Sequence, residues 1–239
     1  MKQPKDFIIF PLDLPDYDQA MQYVDILKGH VGLFKVGLEL FISQGPDVVK
    51  SIRDAGGAGI FLDLKLHDIP TTVKRAFMAA SSHGPEFVTL HCDEGGDILK
   101  SVAENNPGGT KILAVTVLTS LDHENLSQLG YRKKYAENLT RLVLLKARIA
   151  KEAGCHGIVC SGHEVAMVKK ELGHELIAVT PGIRPEWSIV GQDDQKRIVT
   201  PKIAVERGAD YIVVGRPIRD AKNPADAAKR IADEIASVQ

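Results

Sequence analysis

Short β-rich apolar runs alternate with amphipathic helical stretches along this chain, and the alternation occurs eight times. The strand-like runs fall at residues 7–12, 32–36, 59–64, 87–91, 112–118, 157–160, 176–179 and 211–214. Helical periodicity occupies 17–28, 40–55, 71–82, 97–105, 135–153, 163–172, 201–207 and 224–237. Ser161-Gly162-His163-Glu164 has capping-box spacing and predicts a helix start. Gly154, Gly173 and Gly208 stand where three helices should end. Alternation of this kind predicts a parallel sheet. Eight strand–helix units of about 30 residues fit an α/β fold consisting of a single (β/α)8 TIM barrel over residues 1–239. An open doubly wound sheet is the alternative, but it calls for a glycine-rich phosphate loop after its first strand. Here that strand runs into Leu12-Asp13-Leu14-Pro15.

Composition narrows the class. Of 239 residues, 44% are hydrophobic and 26% charged, ordinary values for a soluble globular protein. The formal net charge of −1 gives no general attraction to nucleic acid or anionic lipid, so neither is expected as a partner. Cys92, Cys155 and Cys160 include no Cys-x-x-Cys pair, which argues against a zinc cluster or a disulfide framework. No apolar run approaches membrane-spanning length, and the first six residues lack a signal-peptide core. The expected compartment is the cytoplasm.

Chemistry concentrates in Phe61-Leu62-Asp63-Leu64-Lys65-Leu66-His67-Asp68-Ile69-Pro70. On a strand, side chains alternate between faces, so Leu62, Leu64 and Leu66 share one face while Phe61, Asp63 and Lys65 share the other. An acid and an amine thus become neighbours, roughly 6–7 Å apart by the rise per residue. Asp68 follows past the strand end, before a helix opened by Ile69-Pro70. Buried charges are costly unless paired or used. A strand-end salt bridge would account for an isolated Asp-x-Lys, so the other strand ends decide. Barrel active sites gather at the C-terminal ends of the strands. Those ends read Asp13, Lys35, Asp63 with Lys65, His91, Thr119, Ser161, Thr180-Pro181-Gly182-Ile183-Arg184 and Gly215-Arg216; five of the eight carry a formal charge, which a purely structural barrel would not need.

Arg184 and Arg216 lie after strands seven and eight, where many barrels bind phosphate. Gly215 lets backbone approach an anion closely, and arginine grips phosphate oxygens in bidentate fashion. The long segment 183–197 has the length of a lid, and Gln192 and Gln195 within it are candidates to reach a phosphate on closure. The loop 119–134 is a second candidate cover.

Taken together, Asp63-x-Lys65-x-x-Asp68, Lys35, Thr180-Pro181-Gly182-Ile183-Arg184, Asp194-Gln195-x-Arg197 and Gly215-Arg216 resemble the orotidine 5′-monophosphate decarboxylase family, most closely its bacterial branch, from Asp13 to the final helix. Asp-x-Lys-x-x-Asp alone is shared with a wider superfamily of phosphosugar enzymes; the ordered set is far more specific. The resemblance implies conversion of orotidine 5′-monophosphate to UMP and CO₂, the last step of UMP synthesis, without cofactor or metal. It implies that Lys65 stabilises a carbanion at C6 and protonates it, that Asp63 and Asp68 hold Lys65 in place and charged, and that Lys35 orients Asp63 and contacts the ribose. It further implies a homodimer in which Asp68 and Thr72 enter the neighbouring subunit's site. Asp13 would accept a ribose hydroxyl, Thr119 would bond the pyrimidine edge and Pro181 would flank the base. Arg184, Gln195, Gly215 and Arg216 would hold the phosphate, with Gln195 placed by its Asp-Gln-x-Arg context. His91 reads as a barrel-rim histidine.

Three other readings use the same residues. A metal-dependent sugar-phosphate decarboxylase or aldolase of the same superfamily stabilises an enediolate on Mg²⁺ and carries an acidic ligand at the end of strand two, where this chain has Lys35, a cation that would repel the ion. A non-catalytic nucleotide-phosphate binding barrel would use Arg184 and Arg216 but leave the Lys35–Asp63–Lys65 cluster an unexplained cost. A Schiff-base aldolase built on Lys65 is disfavoured because flanking carboxylates raise an amine's pKa, the wrong direction for a nucleophile.

Overall fold

A computed structural model describes residues 2–188 and 197–238. The eight strands are β1 (Ile8–Pro11), β2 (Leu33–Val36), β3 (Gly59–Leu66), β4 (Phe87–His91), β5 (Lys111–Val115), β6 (Gly157–Val159), β7 (Ile177–Thr180) and β8 (Tyr211–Val213). Each pairs in parallel with its sequence neighbour, and β8 returns to β1 through Ile8↔Ile212 and Ile9↔Val213, so the sheet closes in the expected order. Helices follow the strands around the outside, among them Tyr17–Leu27, Pro70–Ser82, Leu139–Glu152 and Pro224–Ala236.

Alternation along each strand sorts the core into two layers. Ile9, Leu33, Phe61, Phe87, Leu113 and Val179 are buried together and fill the barrel interior. Their neighbours, such as Ile8, Phe10, Phe34, Ile60, Leu62 and Val88, are fully or almost fully buried in a larger cluster that includes the helix-facing side chains. Filling the interior in this way leaves the strands' carboxyl ends, just above it, as the place for a cleft.

The helical periodicity predicted several elements as longer units than the chain forms. The stretch 40–55 divides into Leu38–Gln44 and Asp47–Ala55, because Gly45 takes a φ of +68° and Pro46 supplies no N–H to carry the ladder through. The stretch 135–153 divides into Lys133–Ala136 and Leu139–Glu152, the second capped by Asn138, whose side chain accepts from Arg141 N. The loop 119–134 contains a helix of its own, His123–Gln128. After the capping-box spacing at 161–164 the helix starts only at Val165; Ser161 Oγ accepts from His163 N at 3.3 Å, and the Glu164 carboxylate is buried in an ion pair with Arg197. Gly154, Gly173 and Gly208 do take positive φ at three helix ends. Among the described residues no helix is long and apolar enough to cross a membrane.

Candidate active site

The site is organised by an alternating chain of charge across the mouths of β1, β2 and β3. Lys35 Nζ lies 2.9 Å from Asp13 Oδ1 and 3.6 Å from Asp63 Oδ2, and Lys65 Nζ lies 2.7 Å from the same Asp63 oxygen. Lys35 and Asp63 are buried, whereas Asp13 and Lys65 are more open to the cleft. Burial alone would pull the Lys35 ammonium down and push the Asp63 carboxyl up. The partners outweigh it: Asp63 and Asp13 raise Lys35 above its ordinary value, while Lys35, Lys65 and a Thr89 hydrogen bond lower Asp63. Both buried groups are therefore held in their charged forms.

Strand alternation put Asp63 and Lys65 on one face, and their side chains do meet. The backbone route is less regular. Three residues of β3 run opposite one of β4 between Leu62↔Val88 and Leu66↔Leu90, and Lys65 takes a φ of +47°. This left-handed conformation is uncommon for a long side chain. Thr89 on β4 fastens the distorted stretch: its Oγ1 accepts from Lys65 N at 2.8 Å and donates to Asp63 Oδ1 at 3.0 Å. Sequence reasoning missed Thr89, although its inward position between Phe87 and His91 follows from the period of β4. It also missed Gly37, where an added Cβ would stand 3.0 Å from both Asp13 Oδ1 and Lys35 Nζ. A side chain there would crowd the ion pair.

The charge chain lies in a two-lobed cleft. The larger lobe, about 360 Å³, is lined by Asp13, Lys35, Pro181, Arg184, Gly215 and Arg216, with Arg219 as a further cation that was not expected. Arg216 opens the short helix Arg216–Arg219, and an added Cβ at Gly215 would come within 3.1 Å of Pro11, so the turn packs tightly on β1. The second lobe, about 240 Å³, contains Asp63, Lys65 and Thr119 among apolar neighbours including Phe61, Val115, Leu118 and Val159. Lys35, Pro181 and Val213 line both lobes. A cationic compartment thus adjoins a mostly apolar one that contains an ammonium, a shape suited to a phosphorylated molecule with a flat, less polar end.

Asp68 and Thr72 are not part of this cluster. Both are exposed and line neither lobe; Asp68 Oδ1 accepts from Ile69 N, and the carboxylate has no ion-pair partner among the described residues. Gln192, Asp194 and Gln195 lie outside the described residues. Arg197 is described and engages Glu164.

Comparisons with known proteins give the family. The family model described as orotidine 5′-phosphate decarboxylase / HUMPS matches residues 6–231. An orotidine 5′-phosphate decarboxylase of Desulfosudis oleivorans is 49% identical over 235 residues, covering 98% of this chain and 94% of the relative. One from Methylococcus capsulatus is 46% identical over 233 residues, covering 98% and 93%. A crystal structure of orotidine 5′-phosphate decarboxylase from Lactobacillus acidophilus superposes with a TM-score of 0.81 at 36% identity, covering 95% of this chain and 98% of that one. The chain belongs to the orotidine 5′-phosphate decarboxylase / HUMPS family.

Proposed function

We propose that this chain decarboxylates orotidine 5′-monophosphate to UMP and CO₂, with fixed protein charge as the catalyst and neither metal nor cofactor. One observation carries the reading: the Asp13–Lys35–Asp63–Lys65 chain ends in the Lys65 ammonium, inside a largely apolar lobe beside an arginine-lined one. The phosphate takes the arginine lobe, held by Arg184, Gly215 and Arg216, with Gln195, outside the described residues, as the further contact the resemblance implies. Asp13 and Lys35 meet the ribose. The pyrimidine enters the second lobe between Pro181 and Thr119.

The chemical difficulty is the electron pair left when the C6–carboxylate bond breaks. It lies in the ring plane, where the π-system cannot accept it, so stabilisation must be electrostatic. Lys65 faces that carbon, lowers the energy of the developing carbanion and then passes its own proton to C6. Asp63 anchors Lys65 and lies close to the departing carboxylate. At 4 Å and an effective dielectric of 20, the repulsion between two such charges is about 4 kcal/mol. That corresponds to roughly a thousandfold in rate, well short of what the most powerful enzymes supply. Most of the acceleration therefore comes from the ammonium and from phosphate binding, whose energy closes and dries the site.

Asp68 and Thr72 complete the neighbouring subunit's site in a homodimer. The Asp68 carboxylate, which has no ion-pair partner among the described residues, fits this arrangement, as do exposed apolar side chains on the elements that follow β2 and β3: Ile42 is 77% exposed and Ile69 is 67% exposed. The reaction belongs in the cytoplasm, where the three free buried thiols stay reduced.

A metal-dependent sugar-phosphate decarboxylase is the competing reading, and chelator-treated protein separates the two. The expected result is undiminished conversion of orotidine 5′-monophosphate to UMP after chelation, and a loss of at least roughly 10⁴-fold in kcat for Lys65→Ala, which removes both an electrostatic stabiliser and a general acid. Activity that disappears with the metal, or a Lys65→Ala variant near wild-type rate, overturns the proposal.

A further inference from the structure

Beside the cleft, the turns after β3 and β4 bring together three side chains that this chemistry does not use. His67, His91 and Glu94 each offer a ligand atom within 4.8 Å of the other two. None of them lines either lobe. Glu94 is the informative member. Both of its carboxylate oxygens are buried and neither accepts a hydrogen bond, although His67 Nε2 stands 3.3 Å from Oε1. A buried carboxylate without donors is expensive and calls for a cation.

The surroundings of His91 supply the support that metal-binding histidines usually have. Its Nδ1 lies 2.7 Å from Asp93 Oδ2, and Asp93 is in turn held by the buried Lys146 ammonium and by Tyr131 OH at 3.0 Å. With Asp93 beside Nδ1, Nε2 is the ring nitrogen left to meet an ion, and a carboxylate behind the ring is the outer-shell pattern of imidazole–metal sites. The His67 and His91 rings stack with centroids 5.3 Å apart, so the exposed His67 ring must turn for both nitrogens to meet one ion.

We propose that His67, His91 and Glu94 bind one divalent ion of the zinc class, separate from the decarboxylation site. Two imidazoles and one carboxylate favour zinc or cobalt over magnesium or calcium, which prefer all-oxygen shells. Ligand atoms on a tetrahedral zinc ion stand roughly 3.3 Å apart for bonds of about 2.0–2.1 Å. The His67–Glu94 separation of 3.3 Å already matches that edge. His67 is exposed and can adjust to bring the set to bonding distance, with water as the fourth ligand. The ion would tie the turn carrying Asp68 to the turn after β4 and so stiffen this rim of the barrel.

The test uses full-length protein freed of metal by a chelator and then titrated with cobalt(II) chloride, reading the visible d–d absorption, and with zinc chloride by calorimetry. The expected result is one equivalent per chain, a thermal midpoint that rises with zinc, and at least about tenfold weaker binding in Glu94→Gln and in His91→Ala. His67→Asn provides an exposed-site variant should either of the others fail to fold by circular dichroism. No cobalt uptake by wild type at millimolar concentration overturns the proposal. So does wild-type affinity in folded Glu94→Gln or His67→Asn, or binding that is lost in Asp63→Asn but kept in Glu94→Gln.

Discussion

Thr89 and Lys65 show how a single hydroxyl can set a catalytic geometry. Lys65 holds a left-handed backbone conformation that costs about 1–3 kcal/mol when nothing supports it, and Thr89 Oγ1 ties down its N–H while also holding Asp63. Thr89→Val leaves a buried N–H and a carboxylate oxygen unsatisfied, a loss of about 1–3 kcal/mol for each group. The expected outcome is a kcat at least about tenfold lower at little-changed KM, because misplaced charge harms the transition state more than substrate binding. Thr89→Ser keeps the hydroxyl and should restore most of the rate; steady-state kinetics of the two variants decide, and equal damage in both contradicts the role. The backbone itself can be tested through stability. At a φ of +47° glycine has no steric penalty, so Lys65→Gly should be about 1 kcal/mol more stable than Lys65→Ala, the reverse of the usual helix order. Urea unfolding of the two inactive variants measures this, and an alanine variant at least as stable would contradict the strain. At this scale Asp63 and Lys65 were legible from a period of two, and Lys35 from its strand end. Thr89 and Gly37 were not, because their importance lies in contacts across strands whose register the sequence does not print.

At the scale of elements, the errors have local causes that periodicity is blind to. Gly45-Pro46 and Asn138 break apolar patterns that continue through them, and the helix after β6 begins at Val165, beyond the capping spacing of 161–164, with Glu164 paired to Arg197. The junction of β5 and β6 is another such joint, and here pH enters. Ile112 N donates to His156 Nδ1 at 3.1 Å, and His156 N donates back to Ile112 O. Burial, then the nearby Lys111 ammonium, holds the His156 ring below its ordinary pKa of 6.5. A histidine with a lowered folded pKa prefers the neutral form when folded. Its contribution is present above about 6.5, the unfolded value, and is lost progressively as pH falls from there toward the folded value. His163, also lowered by burial and by Arg207 and Arg197, adds a change of the same sign, so one variant must be compared with wild type. His156→Asn can still accept from Ile112 N but cannot titrate. Its urea midpoint should change less than that of wild type between pH 7.5 and 5.5, and parallel pH profiles would remove His156 from the account.

The whole molecule was the most legible scale: eight strands in sequential order leave a closed barrel little competition, and the barrel dictates that chemistry sits at the strands' carboxyl ends. The proposed second subunit lies beyond one chain's sequence and structure, and Asp68 is where it would matter. Its carboxylate is exposed with no cation among the described residues, three positions beyond Lys65, which it would support in the proposed mechanism. Exposed Ile69 adjoins it, and exposed Leu38 and Ile42, one helical turn apart on the helix after β2, add surface that a two-fold partner would bury. If Asp68 crosses that interface, a Lys65→Ala chain and an Asp68→Ala chain, each inactive alone, become complementary when mixed. In every heterodimer one site collects both lesions and the other collects neither. Equal mixing gives heterodimers as half of all dimers, so activity should recover to about a quarter of wild type per chain. If Asp68 instead served the lysine of its own chain, every site in the mixture would lack one group, and no activity would return. Subunit exchange is verified separately by mass spectrometry of differently tagged chains, so exchange without recovery assigns Asp68 to its own subunit and removes the shared site from the mechanism.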